Sequence, residues 1–79
     1  MVPVLRLFGP ARESAGTPCA DMPGRDVAEV LAGAEARFGR GFAEVLAVSR
    51  VWVNGEFAST DRPLVAGDEV AVLPPVSGG

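Results

Sequence analysis

The stretch from Asp26 to Gly39 is the one part of the chain with a sustained helical period. Val27, Val30, Leu31, Ala34 and Phe38 recur at i, i+3 and i+4 spacing, which puts them on one apolar stripe of a helix. Asp26 is placed to cap the first turn, and Glu29 three residues later completes a capping-box pattern. Gly39 is a good C-terminal stop. One amphipathic helix must bury its stripe against something. The other clearly patterned segments alternate with a period of two, so that surface is a sheet. The stripe therefore predicts an α+β domain with one main helix packed on strands.

The strands follow from alternation. In residues 2–8, Leu5 and Leu7 fall on one face and Val4, Arg6 and Phe8 on the other, with Pro3 tolerable near the start. Gly9-Pro10 reads as a break and Arg12 to Gly16 as a polar connector. Thr17 to Met22 reads as a second strand forming a hairpin with the first. Pro23 to Asp26 is a turn into the helix, and Gly41 to Val48 holds a short helical turn around Phe42, Val45 and Leu46. Arg50 to Val53 is a strand, Asn54-Gly55 is a hairpin signal, and Glu56 to Ala58 is the return strand. Asp61 to Leu64 is a turn that points Leu64 inward, and Ala66-Gly67-Asp68 is another. In the last strand, residues 69–73, Val70 and Val72 share one face and Ala71 and Leu73 the other. A hairpin, a crossover helix and a last strand beside the first give a mixed sheet of four to five strands. By fold analogy this is the β-grasp, or ubiquitin-like, arrangement. It spans residues 1–73, and residues 74–79 form a flexible C-terminal tail.

Composition removes several chemistries. All seven basic residues are arginine, with no lysine and no histidine. That leaves no Schiff-base lysine and no imidazole base or metal ligand, and no lysine on which the chain could build side-chain-linked polymers of itself. The single cysteine, Cys19, excludes an internal disulfide and a Cys-rich metal site. It suits a reducing cytoplasm and reads as a small buried hydrophobe. The net charge of -3 argues against nucleic acid or an anionic membrane as the main partner. Met1 to Leu5 runs straight into Arg6 with no signal-peptide pattern, and no apolar run is long enough to span a membrane. The ten acidic residues form no recognisable acid–base or metal constellation.

The chemistry concentrates at the end of the sequence, Pro74-Pro75-Val76-Ser77-Gly78-Gly79. Two prolines cannot extend a sheet, so they carry the chain off the body of the domain. Two glycines make the tip thin and conformationally free. The group of interest is the carboxylate of Gly79. A slim arm with a carboxylate at its end suits insertion into another protein's active site.

Further markers stand in order along the chain: Leu7-Phe8 with Ala11-Arg12-Glu13, Val53-Asn54-Gly55-Glu56, Asp61-Arg62-Pro63-Leu64, and Gly67-Asp68-Glu69-Val70-Ala71. With the Pro-Pro-Val-Ser-Gly-Gly ending, the chain resembles the MoaD/ThiS family of sulfur carriers nearly end to end. It looks most like the small subunit of molybdopterin synthase. The resemblance implies that an ATP-dependent, ubiquitin-activating-type enzyme adenylates Gly79. A sulfur donor then replaces AMP to leave a thiocarboxylate, and the tail enters the large subunit of molybdopterin synthase. There the sulfur passes to cyclic pyranopterin monophosphate, in molybdenum cofactor biosynthesis. No cofactor is bound by the carrier itself, ATP and the sulfur donor being used by the activating enzyme.

The same resemblance implies that Phe8, Phe57 and Leu73 pack against the large subunit and that Arg12 lies near the partner surface. Arg12 has two readings, a salt bridge to a partner carboxylate or one to Glu13 or Glu69. Trp52 reads as a core or half-buried residue ahead of a binding anchor. Other functions remain open: a sulfur carrier for thiamine or cysteine synthesis, a protein modifier joined to lysines of targets, or a β-grasp binding module whose tail is irrelevant.

Overall fold

The computed structural model describes residues 2–75. The four residues 76–79, on which the tail reading rests, lie outside the described residues. Strand β1 (Val4–Leu7) and strand β5 (Glu69–Leu73) are parallel neighbours at the centre of a five-stranded sheet. Strand β2 (Cys19–Asp21) pairs antiparallel with β1 on one side. On the other, β3 (Arg50–Val53) pairs antiparallel with β5, and β4 (Glu56–Phe57) closes the edge, giving the order β2-β1-β5-β3-β4. This is a mixed α+β sheet of the ubiquitin-like, β-grasp type.

Alternation decides which side chains enter the core. Leu5, Leu7, Val53, Val70 and Val72 are all buried on one face of the sheet. Helix α2 (Val27–Phe38) lays Val27, Val30 and Ala34 over them, with Leu31 and Phe38 half-buried at the margin. The capping expected at its start is present in altered form. Glu29 donates its backbone N–H to Asp26 Oδ1 at 2.9 Å, while its own carboxylate accepts from the backbone N–H of Arg25 at 2.7 Å instead of from Asp26. That bond, with the Arg25 guanidinium, holds the Glu29 carboxyl below the usual carboxylate range.

Two further helices go beyond the single main helix expected from the sequence. Residues 9–15, read as a break and a polar connector, form helix α1 (Gly9–Ala15). Proline in a first turn does not break a helix, because the N–H it lacks would have no intrahelical partner there. Only Ala11 of α1 is buried, so no apolar stripe marked it. Gly39 ends α2, donating its N–H to the Glu35 carbonyl, and helix α3 (Arg40–Ala47) starts directly after it. Phe42 and Leu46, one turn apart, fill the end of the core, and Phe42 meets Phe38 at a centroid distance of 5.2 Å. The short turn expected around these residues is thus a complete helix.

The loops between strands follow the expected chemistry. Asn54 and Gly55 both have positive φ, 51° and 84°, as a two-residue hairpin turn of type I′ requires. The Asn54 side chain also ties this turn to the start of β5. It donates to Asp68 Oδ1 and accepts from the Glu69 N–H, both at 2.9 Å. The N–H of Val65, followed by the Asn54 amide, holds the Asp68 carboxyl below its ordinary range. Leu64 points inward as expected.

Gly24 serves a purpose that the sequence did not disclose. A Cβ built there would lie 2.7 Å from both the backbone nitrogen and a methyl of Val30, so the turn before α2 needs glycine for space. Gly24→Ala is expected to destabilise the domain by about 1–3 kcal/mol through overpacking. Urea unfolding measures this, and an unchanged midpoint would show that the turn can move away from α2.

Candidate functional site: the outward sheet face and the root of the tail

The residues that alternate away from the core form the outer face of the sheet. Strand register lines up Cys19, Arg6, Ala71, Trp52 and Phe57 as one row across all five strands. In the next row toward the tail, Arg50 pairs with Leu73. Phe8 follows Leu7, whose partner is Val72, and the Phe8 N–H donates to the Val72 carbonyl at 3.2 Å. Phe8 and Leu73 therefore stand at the same end of adjacent central strands, where the tail begins.

Phe8 is 43% exposed and Phe57 is 65% exposed, while Leu73 and Trp52 are half-buried. Phe57 meets Trp52 edge-on at 6.4 Å, so these two rings support one another on the surface. Arg6 crosses the face to Glu69 at 3.2 Å with both side chains about half exposed, which makes the pair weakly stabilising at most. An apolar patch with a charged neighbour of this kind is the usual character of a protein-binding surface.

Other expected site residues stand differently. Arg12 is exposed on α1, and among the described residues it makes no ion pair. The Glu69 carboxylate offered as one of its partners is held by Arg6. Cys19, read as a buried hydrophobe, is exposed, because β2 is a three-residue edge strand with no neighbour beyond it. Pro74 and Pro75 end β5 as expected, but both stay close to the body. The Pro74 ring would lie 3.5 Å from a Cβ on Gly9, and Pro75 lines a groove at the far end of β3. Residues Val76, Ser77, Gly78 and Gly79 of the proposed site lie outside the described residues.

That groove, about 440 Å³ in volume, also involves Val48, Arg50 and Phe57. Sequence reasoning missed Val48 and Arg50. The alternation of β3 could have found Arg50, since it shares a face with Trp52. Among the described residues, no cluster of three or more acidic, cysteine or histidine side chains could hold a metal, and no helix is long and apolar enough to cross a membrane.

The architecture defines a ubiquitin-like domain with an apolar outer face at the root of a Gly-Gly tail. The ThiS family model matches residues 5–79, and the chain belongs to the ThiS family of ubiquitin-like sulfur carriers. Among solved structures, small archaeal modifier protein 1 of Haloferax volcanii is 30% identical with a TM-score of 0.78, the match covering 98% of both chains. A chain in the complex of subunits 1 and 2 of the Helicobacter pylori molybdopterin-converting factor is 29% identical, with a TM-score of 0.73 and full coverage of both chains. A chain of the Amycolatopsis orientalis BexX/CysO complex has a TM-score of 0.81 at 21% identity, covering 99% of this chain and 100% of that one, and shows likeness of fold. No curated protein sequence matches this one.

Phe57→Ala is expected to leave unfolding stability within about 1.5 kcal/mol of the parent, because only an exposed edge-to-face contact is lost. It should also shift Trp52 fluorescence to longer wavelength as the indole becomes wetter. An unchanged emission spectrum would contradict the ring contact.

Proposed function

We propose that this chain carries sulfur on Gly79 for molybdopterin synthesis. The carrying observation is the apolar pair Phe8 and Leu73 at the tail root, with Phe57 further along the same outward face. Such a surface would dock the large subunit of molybdopterin synthase and leave Pro74 to Gly79 directed into that partner's active site. The ending Pro-Pro-Val-Ser-Gly-Gly supports the same reading. So does the likeness to a chain in a complex of two molybdopterin-converting subunits.

The chemistry needs activation from outside. A carboxylate is a poor electrophile, so a ubiquitin-activating-type enzyme joins the Gly79 carboxylate to AMP and releases pyrophosphate from ATP. Sulfur from a donor then attacks the acyl carbon and AMP leaves, giving a thiocarboxylate. The large subunit passes that sulfur to cyclic pyranopterin monophosphate, and water restores the carboxylate. The carrier supplies no acid, base or metal. Its part is a tip too slim to clash in a closed site and a surface that sets the tip's position. Arg12, exposed on α1, is available for a partner carboxylate. The setting that fits an exposed single thiol is a reducing cytoplasm.

A second reading, a protein modifier, is favoured by the likeness to an archaeal modifier protein. Both use the same activated Gly79 and differ in the acceptor. The absence of lysine means that, as a modifier, this chain could not extend itself through lysine side chains.

Sulfur transfer from the thiocarboxylated chain to molybdopterin synthase large subunit charged with cyclic pyranopterin monophosphate tests the reading. Molybdopterin is expected to form with the parent and to fall below detection with Gly78→Val, whose fold is unchanged by circular dichroism. Product with the variant, or none with the parent, would overturn it.

A further inference from the structure

The turn that joins β3 to β4 carries a reactive dipeptide, Asn54-Gly55. Glycine has no side chain to hinder its backbone nitrogen, so that nitrogen can close on the asparagine carboxamide carbon. Closure expels ammonia and leaves a five-membered succinimide, which water opens to aspartate or isoaspartate. Both residues are exposed to the water this needs. Two contacts oppose the reaction. Asn54 Nδ2 donates to Asp68 Oδ1, and Asn54 Oδ1 accepts from the Glu69 N–H, each at 2.9 Å. Asp68 is itself fixed, because its other carboxylate oxygen accepts from the Val65 N–H at 2.9 Å. The nitrogen that must leave is therefore held by a carboxylate, and the carbonyl that must turn toward Gly55 is held by the start of β5.

We propose that Asn54 is a latent deamidation site, guarded by its clasp to Asp68 and Glu69, and that its conversion uncouples the β3–β4 hairpin from β5. The bond from Gly55 N to Asn54 Cγ forms as the bond from Cγ to Nδ2 breaks, and the Gly55 proton leaves with the ammonia. Water then adds across one ring C–N bond. Opening at Cγ gives aspartate, opening at the main-chain carbonyl gives isoaspartate, and nothing is oxidised or reduced. Aspartate adds a negative charge to a chain of net charge -3. It sets a carboxylate oxygen against Asp68 Oδ1 where a hydrogen bond stood, so attraction becomes repulsion. Isoaspartate goes further, because it adds a carbon to the main chain of a two-residue turn whose length fixes the register. The register at risk pairs Trp52 with Phe57, the two rings that meet edge-on on the outward face. This chemistry holds whatever acceptor Gly79 serves.

Intact mass and peptide mapping during incubation at neutral pH test it without any activating enzyme, so its failure is separate from failure of the sulfur-carrier reading. The parent protein is expected to convert at Asn54 about tenfold or more slowly than a free peptide of residues 51–57, since a hydrogen bond to a charged group must first break. Asp68→Asn keeps the shape of the side chain but removes its charge, and should bring the rate toward that of the peptide. Gly24→Ala is the control, because it strains the turn before α2 and leaves the clasp untouched. Conversion of the parent at the peptide rate, or an unchanged rate in Asp68→Asn, would overturn the proposal. Equal acceleration in Gly24→Ala would assign the protection to the fold as a whole and overturn the role of the clasp. Asn54→Asp, which reproduces one product, is expected to lower the urea midpoint and shift the Glu69 and Phe57 amides. An unchanged midpoint and spectrum would overturn the uncoupling.

Discussion

The parallel pairing of β1 with β5 is the contact on which the rest depends. It joins the first and last strands of the domain at the centre of the sheet, although more than sixty residues separate them in sequence. Leu5, Leu7, Val70 and Val72 are fully or almost fully buried along this seam, so α2 and α3 pack on a surface that exists only once the ends have met. A parallel pair requires a crossover, and the intervening chain supplies it. Such long-range pairing makes the fold slow to nucleate relative to a helical bundle, and it makes the two ends interdependent.

The same pairing builds the candidate site. Alternation that buries Leu7 and Val72 turns Phe8 and Leu73 outward at the end of the seam. The tail leaves from that end, beside the start of α1. The outward apolar pair and the root of the tail are therefore fixed by one register. A slip of one residue in β5 would send Val70 and Val72 outward and Leu73 into the core, removing the patch and redirecting the tail together.

Much of this was legible in the residues. Period-two alternation gave the faces of β1 and β5, Asn54-Gly55 gave the hairpin, and Asp26 with Gly39 bounded α2. What escaped notice was either short or without chemistry of its own. Helix α1 buries one alanine and opens with Gly9-Pro10, so it carries no stripe and looks like a break. Gly24 is required by a close approach to Val30, a contact between segments that sequence alone cannot display. Cys19 is exposed because β2 is an edge, and edge position depends on strand order. The Arg6 bond to Glu69 has the same origin: two residues far apart in sequence become neighbours only through the β1–β5 register. Phe8, Leu73 and the Gly-Gly ending were legible because alternation and composition mark them directly.

The central claim is that Gly79 is the reactive end of a sulfur carrier. Its most direct measurement is the intact mass of the protein after incubation with ATP, a sulfide source and a ubiquitin-activating-type enzyme. The account predicts a gain equal to exchange of one oxygen for one sulfur, abolished when Gly79 is deleted. An unchanged mass, with an authentic carrier reacting in parallel, would contradict it and leave the outward face as the surface of a binding module.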